Sequence, residues 1–272
     1  MKSDYISYKK IPNLIEINQN DIVYLSSDIM CISFIAKKNG EEFDMDKLLD
    51  SFLNRITEQG TLIIPTFNFD FSNKGIFDYK NSPSTTGALG NCALKRSDFR
   101  RTKHPMHSFA VAGKMQNELC EMNNLNSFGN DSPFEFMKNN NVIQVMLGTD
   151  YQRSMTFVHY IENMANVPYR FYKEFTGEYI DFDGKKRIVT YQYPARYLEY
   201  NSVEKFNRIG KILESKKVAK KYIWNNFVEI KKVFLGDSYK FIYDDIVNNR
   251  CRNIYDFSID RDKIWESGKC MN

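Results

Sequence analysis

Histidine is scarce in this chain of 272 residues: there are three, His104, His107 and His159. None stands four residues from another, and His104 and His107 have no cysteine or aspartate close by, so no metal centre is expected. The five cysteines (Cys31, Cys92, Cys120, Cys251, Cys270) are dispersed, odd in number and without a C-x-x-C pair. That pattern argues against a disulfide framework and a zinc ribbon, and favours a reducing cytoplasmic setting. No run of eighteen apolar residues occurs, so no membrane-spanning helix is expected. The opening MKSDYISYKKIPNLIEI lacks the short apolar core of a secretory signal. Neither G-x-x-x-x-G-K nor G-x-G-x-x-G is present, which leaves nucleoside triphosphate and dinucleotide binding without support. Repeats and low-complexity tracts are also lacking.

What remains is an ordinary globular composition, 42% hydrophobic and 26% charged. The length allows one large domain or two small ones. The net charge of +4 is uneven, because residues 201–272 carry 15 Lys and Arg against 10 Asp and Glu. This excess, around KILESKKVAKK, reads either as a solvated helix face or as attraction for an anionic ligand.

Periodicity divides the chain. DIVYLSS (21–27) reads as a buried strand. DKLLDSFLNRITEQ (46–59) places Leu48, Leu49, Phe52, Leu53 and Ile56 at helical spacing, with Gly60 as its expected C-cap. TLIIPTF is a strand, GALGNCALKRS a helix, HSFAVAGK a strand and KMQNELCEM a helix. SPFEFMKNN starts a helix, with Ser132 as N-cap and Pro133 in the first turn. VIQVMLG is the clearest strand, and SMTFVHYIENMA is a helix. This alternation predicts an α/β fold, a layered mixed sheet with flanking helices. After Pro168 the chain turns aromatic and β-branched, with Asp183-Gly184 as a hairpin turn. Residues 203–232 return to helix. The expected division is therefore an α/β core over 1–168 and a β-rich and helical part over 169–272.

Three stretches carry candidate chemistry. FRRTKHPMHS (99–108) crowds two histidines beside two arginines. In MTFVHYIE, Thr156, His159 and Glu162 share a broad helix face, so His159 reads either as a structural histidine or as a general base with an orienting partner. Ser26 and Ser27, after the first strand, either cap a helix or present its free N–H groups to phosphate. SPSTTGALG places Ser84 and Thr85 before a helix, where they can hold an anion or a substrate carbonyl. In YRFYKEF, the rings of Tyr169, Phe171 and Tyr172 form either sheet core or a stacking surface.

The order GTLIIPTF, SPSTTGALG, FRRTKHPMHSFAVAG, SPFEFMKNNNVIQVMLG, MTFVHYIE resembles the aminoglycoside 3-N-acetyltransferase family over about residues 20–165. The resemblance implies coenzyme A-dependent transfer of an acyl group to an amine on a sugar. On the matching positions it implies His159 as catalytic histidine, Glu162 as its companion and Thr156 as an oxyanion donor. It places Ser26 and Ser27 under the pantetheine and phosphate arm of coenzyme A, with Arg100, His104 and Ser108 lining the same region. Ser84, Thr85, Asp150 and Arg153 fall on the substrate side. Family members that acetylate aminoglycosides carry an aspartate six residues before the histidine. Here that position is Arg153, and the nearest acid is Asp150.

The expected reaction is direct attack by a neutral amine on the thioester in a ternary complex, with no acyl-enzyme, since Cys31, Cys92 and Cys120 have no histidine nearby in sequence. Aminoglycosides are polycations, and the positive net charge together with Arg153 suits an anionic acceptor better. The expected acceptor is a nucleotide-linked amino sugar such as a dTDP-4-amino-4,6-dideoxyglucose, used in surface glycan synthesis. The alternatives are an aminoglycoside 3-N-acetyltransferase conferring resistance and a non-catalytic polyanion-binding protein. Neither a nucleic acid nor a membrane partner is expected.

Overall fold

The computed structural model describes residues 5–271. In chain order its strands are β1 (Ile22–Ser27), β2 (Thr61–Pro65), β3 (Ile76–Asp78), β4 (Arg100–Arg101), β5 (Phe109–Gly113), β6 (Ile143–Leu147), β7 (Arg170–Ile180), β8 (Lys186–Arg196), β9 (Val203–Glu204), β10 (Ala219–Trp224), β11 (Val228–Phe234) and β12 (Tyr255–Asp256). A seven-stranded mixed sheet runs β10-β11-β6-β1-β2-β5-β4. Its centre, β6-β1-β2, is parallel. Strands β5 and β11 join it antiparallel on either side.

The two faces are covered differently. One packs Val23, Leu25, Leu62 and Val145 against the helices Ile29–Lys38 and Met45–Ile56. The other packs Tyr24, Ile63, Val111 and Met146 against Phe157–Met164, Phe206–Ser215 and Leu235–Val247. With both faces buried, β6 is apolar at most positions and wholly buried, as a central parallel strand must be. Its one polar residue, Gln144, faces the site described below.

Most of the expected elements form, and the exceptions have local causes. Asp44 caps the helix Met45–Ile56 by accepting from Asp46 N (2.8 Å) and Lys47 N (3.2 Å). That helix stops at Thr57, which takes a left-handed conformation (φ 63°), and not at Gly60. Gly60 is instead required by close approach: a Cβ there would lie 2.6 Å from Ile56 Cβ and 2.7 Å from Asp21 O. Ser132 precedes the helix Pro133–Asn139, but its hydroxyl donates back to Gly129 O (2.6 Å) and does not cap. Residues 203–232 are helical only over Phe206–Ser215. Beyond it the chain forms the β10–β11 hairpin, whose buried Trp224, Val228 and Ile230 extend the sheet. The main sheet thus crosses residue 168, since β11 pairs with β6 residue by residue from Phe234↔Ile143 to Ile230↔Leu147.

Strands β7 and β8 form a long hairpin, paired from Arg170↔Arg196 to Ile180↔Lys186 and joined by β3 in a separate three-stranded sheet. Gly184 turns it with φ 83°, a conformation an L side chain rarely takes. Among the described residues no helix is long and apolar enough to cross a membrane, and no group of three or more His, Cys, Asp or Glu is placed to hold a metal.

Candidate active site

The parallel strands β1 and β6 end side by side, Ser26 opposite Met146 and Ser27 opposite Leu147. The chain leaving β6 makes one turn over Tyr151–Ser154 and enters the helix Phe157–Met164 with Thr156 at its N-cap. This route brings residues far apart in sequence to the carboxyl end of the sheet, where open α/β folds place their ligands. Ser26 accepts from Gln144 Nε2 (3.2 Å), which also donates to Ser154 O (2.7 Å). The hydroxyl of Tyr24 is linked to Ser26 and Thr156, and burial pushes its pKa up to about 12, so it stays protonated.

One turn further along, His159 meets Glu162. The Nδ1···Oε2 distance is 2.7 Å, and the histidine side chain retains 16% exposure while the carboxylate has none. Glu162 is held from three sides. Arg170, the first residue of β7, donates through Nη2 to Oε2 (2.9 Å), and Tyr169 donates to Oε1 (2.7 Å). Burial alone would raise the Glu162 pKa. The Arg170 charge and the His159 and Tyr169 hydrogen bonds outweigh that and hold it down at about 2. Burial likewise opposes the charge on Arg170, and the Glu162 carboxylate overcomes it. Arg170 is further fixed on Pro194 O (2.7 Å) and Tyr255 Oη (2.8 Å).

This network assigns the tautomer. Arg170 Nη2 lies 3.0 Å from His159 Nδ1, but a guanidinium only donates. With Glu162 ionised, Nδ1 carries the hydrogen and donates to it, which leaves the Nε2 lone pair free for a proton. Phe128 and Phe206 set the ring edge-on, at centroid distances of 5.7 and 5.6 Å. Cys251 is the cysteine that touches this network, through Tyr169 Oη (3.2 Å). Its thiol is buried, which raises its pKa well above the ordinary value and keeps it from acting as a thiolate.

The other candidate residues are distributed around this centre. Asp150 caps the turn Tyr151–Ser154, accepting from Arg153 N (3.1 Å) and Asn207 Nδ2 (2.9 Å). Arg153 is exposed and reaches Asp28 Oδ2 (3.3 Å), at the start of the helix after Ser27. Ser84 is buried, accepting through its hydroxyl from Thr86 N (3.2 Å), while Thr85 is exposed and bonded to Phe67 O. The FRRTKHPMHS stretch divides. Ser108 is buried and joins Thr66 O (2.8 Å) to Arg101 Nε (2.9 Å). His104 is buried too, accepts from His107 N (3.2 Å) and lies 3.4 Å from Ser127 Oγ, and burial lowers its pKa to about 3. Both therefore bond within the protein. Arg100 is exposed at the sheet edge on Asn117 (2.7 Å) and Glu121 (3.0 Å), apart from Ser26 and Ser27. His107 sits among Phe67, Phe128 and Tyr193, with Phe128 between it and His159. Tyr169 and Tyr172 face the protein, bonding to Glu162 and Asn163 (3.0 Å), and so do not form a stacking surface.

Sequence reasoning missed Arg170, Tyr24, Gln144, Phe128 and Phe206. None left a local pattern: Arg170 shares its strand with the charges of Lys173, Glu174 and Glu178.

The model of the aminoglycoside 3-N-acetyltransferase family matches residues 32–228, and the chain belongs to that family. It is accordingly a coenzyme A-dependent N-acetyltransferase, and coenzyme A is its acyl carrier. Solved structures agree in fold. The YokD protein from Bacillus subtilis has a TM-score of 0.73 at 18% identity, covering 89% of this chain and 98% of its own. The aminoglycoside acetyltransferase AAC(3)-Xa scores 0.74 at 15%, covering 89% and 93%. AAC-IIIb, in a binary structure with CoASH, scores 0.75 at 13%, covering 89% and 96%. No curated protein sequence matches the chain.

Proposed function

We propose that the chain transfers an acyl group from coenzyme A to the amine of a nucleotide-linked amino sugar, such as dTDP-4-amino-4,6-dideoxyglucose, with His159 as general base. The observation that carries the catalytic part is the His159–Glu162 contact at 2.7 Å, with Glu162 ionised by Arg170. In the family's aminoglycoside-acetylating members an aspartate precedes the histidine. Here the orienting carboxylate is Glu162 itself, so Arg153 at the earlier position leaves the base intact.

The residues at the end of β1 fit coenzyme A. Ser26 shares the Tyr24 hydroxyl with Thr156, Ser27 follows it at the end of β1, and the helix Ile29–Lys38 just beyond presents Met30 and Phe34 to solvent, 78% and 66% exposed, for an apolar arm. When bound, coenzyme A supplies the acyl group as a thioester with a good leaving group. His159 Nε2 then takes the proton of the attacking amine as the new C–N bond forms. The C–S bond breaks, and the same nitrogen returns the proton to the sulfur. In this reading Thr156, which is linked to the Tyr24 hydroxyl, donates to the carbonyl oxygen as charge develops there. One such donor commonly contributes ~10²–10³-fold.

The choice of acceptor rests on charge. The carboxylate beside His159 is neutralised by Arg170, and the ring is lined by Phe128 and Phe206. A polycation finds no free carboxylate among these contacts. The sisomicin complex of the structural neighbour AAC-VIa favours the second reading, an aminoglycoside acceptor. The test offers acetyl-CoA with kanamycin and, separately, with the dTDP-amino sugar, and follows release of the free thiol. Turnover of the nucleotide sugar is expected; turnover of kanamycin alone overturns the choice.

A further inference from the structure

A cavity of about 770 Å3 opens at the edge of the main sheet, between β4, the helix Gln116–Glu121 and the tip of the β7–β8 hairpin. Five Lys and Arg line it against three acids. Two of the acids are engaged: Glu121 holds Arg100 and Lys103, and Asp181 accepts the turn N–H groups of Asp183 and Lys185. Asp183 stands exposed at the tip. Among the described residues, three of the cations have no carboxylate within 4 Å. Arg187 lies over the Tyr179 ring at 5.0 Å, and Lys80 over the Phe182 ring at 4.0 Å.

The third, Arg101, is only 3% exposed. It donates to Ser108 Oγ (2.9 Å), Ser82 O (2.5 Å) and Thr66 O (3.0 Å), all neutral acceptors, and stacks on Phe77. A buried cation satisfied only by dipoles leaves a positive floor under the cavity, and such charge is ordinarily balanced by an anion. Burial pulls its pKa down to about 10, still well above neutrality, so the charge persists. The walls also carry flat rings, with Phe182 60% exposed and Tyr79 edge-on to it.

We propose that this cavity is a second ligand site, separate from acyl transfer, for a phosphorylated ligand with a planar ring, in its simplest form a nucleoside diphosphate. The ring packs on Phe182 and Tyr79, and the phosphates meet Arg187, Lys80 and the field of Arg101. Separation follows from β7. Arg170 at its start touches His159, and Tyr179 on the cavity wall is nine residues along, roughly 30 Å at about 3.3 Å per residue. A nucleotide-linked sugar with its amine at His159 does not reach this cavity.

The test is calorimetric titration of ADP, dTDP and inorganic pyrophosphate into full-length protein, first alone and then saturated with coenzyme A. ADP or dTDP is expected to bind, and R187A and K80A, both at exposed positions, to weaken that binding at least tenfold while melting like the parent. Unchanged affinity in both variants overturns the site. Loss of the Arg187-sensitive binding on adding coenzyme A also overturns it, because the cavity is then the far end of the coenzyme A site. Pyrophosphate binding as tightly as either nucleotide overturns the planar-ring component. These are binding measurements, so they stand apart from thiol release, and failure of the acyltransferase reading leaves their outcome distinct.

Discussion

Two arginines are buried among the described residues, and they are compensated in opposite ways. Arg170 sits against Glu162, Tyr255 and a carbonyl, with its charge matched by a carboxylate at 2.9 Å. Arg101 sits against two carbonyls and a hydroxyl, with no carboxylate within 4 Å among the described residues. The first is a closed system: its charge exists to keep Glu162 ionised, and Glu162 in turn fixes His159. The second is open, and its charge faces a cavity. Burial by itself says nothing about which role an arginine has; the nature of its acceptors does.

The largest expected effect comes from breaking the closed system at its output. H159N should lower acyl transfer by ~10²–10⁴-fold, the usual worth of a general base. Thiol release measures this, with circular dichroism confirming the fold. Next, R170M should destabilise the protein by about 3–5 kcal/mol, because it leaves Glu162 buried and unpaired. Urea unfolding measures the loss, and adding E162Q to R170M should recover part of it. R101M should cost less, about 1–3 kcal/mol, since it strands only neutral acceptors. Equal losses for the two arginines would erase the distinction between them.

Acid gives a smaller and more gradual signature. Glu162 is depressed in the folded protein from an ordinary 4.5 to about 2. Its stabilising contribution is therefore complete above pH 4.5 and is lost as pH falls from there towards 2. Unfolding free energies over that window should show the slope in the parent and a reduced slope in E162Q. The smallest effect is expected at Arg153, which is exposed on Asp28 and Asp150. R153A should change kcat/KM for the dTDP-amino sugar only a few-fold, as rim charges do.

Much of the central fold was legible because its strands are short apolar runs between capped helices. VIQVMLG and DIVYLSS reveal themselves by composition alone. The β10–β11 hairpin was hidden because Lys220, Lys221, Lys231 and Lys232 interrupt its apolar residues. Two of those lysines, Lys231 and Lys232, are buried on Glu229 and on carbonyls of Ile15 and Glu16, contacts no local pattern announces. His159 and Glu162 were legible as neighbours three apart on a helix. Arg170 was not, since its bond to Glu162 depends on where a strand begins in space. The FRRTKHPMHS stretch divides in a way no local pattern announces: His104 and Ser108 bond within the protein, while Arg100, Arg101 and Lys103 line the cavity at the sheet edge.

The pairing of β6 with β11 also has a consequence for how the chain is made. During synthesis β6 emerges with β1 available on one side, but its other edge stays unpaired until Val228–Phe234 has left the ribosome. Through that interval a largely apolar strand is exposed to partners of the wrong kind. The nascent chain therefore passes through a period in which it depends on rapid completion or on a chaperone, and truncations ending before residue 228 should aggregate even though they contain His159, Glu162 and Arg170.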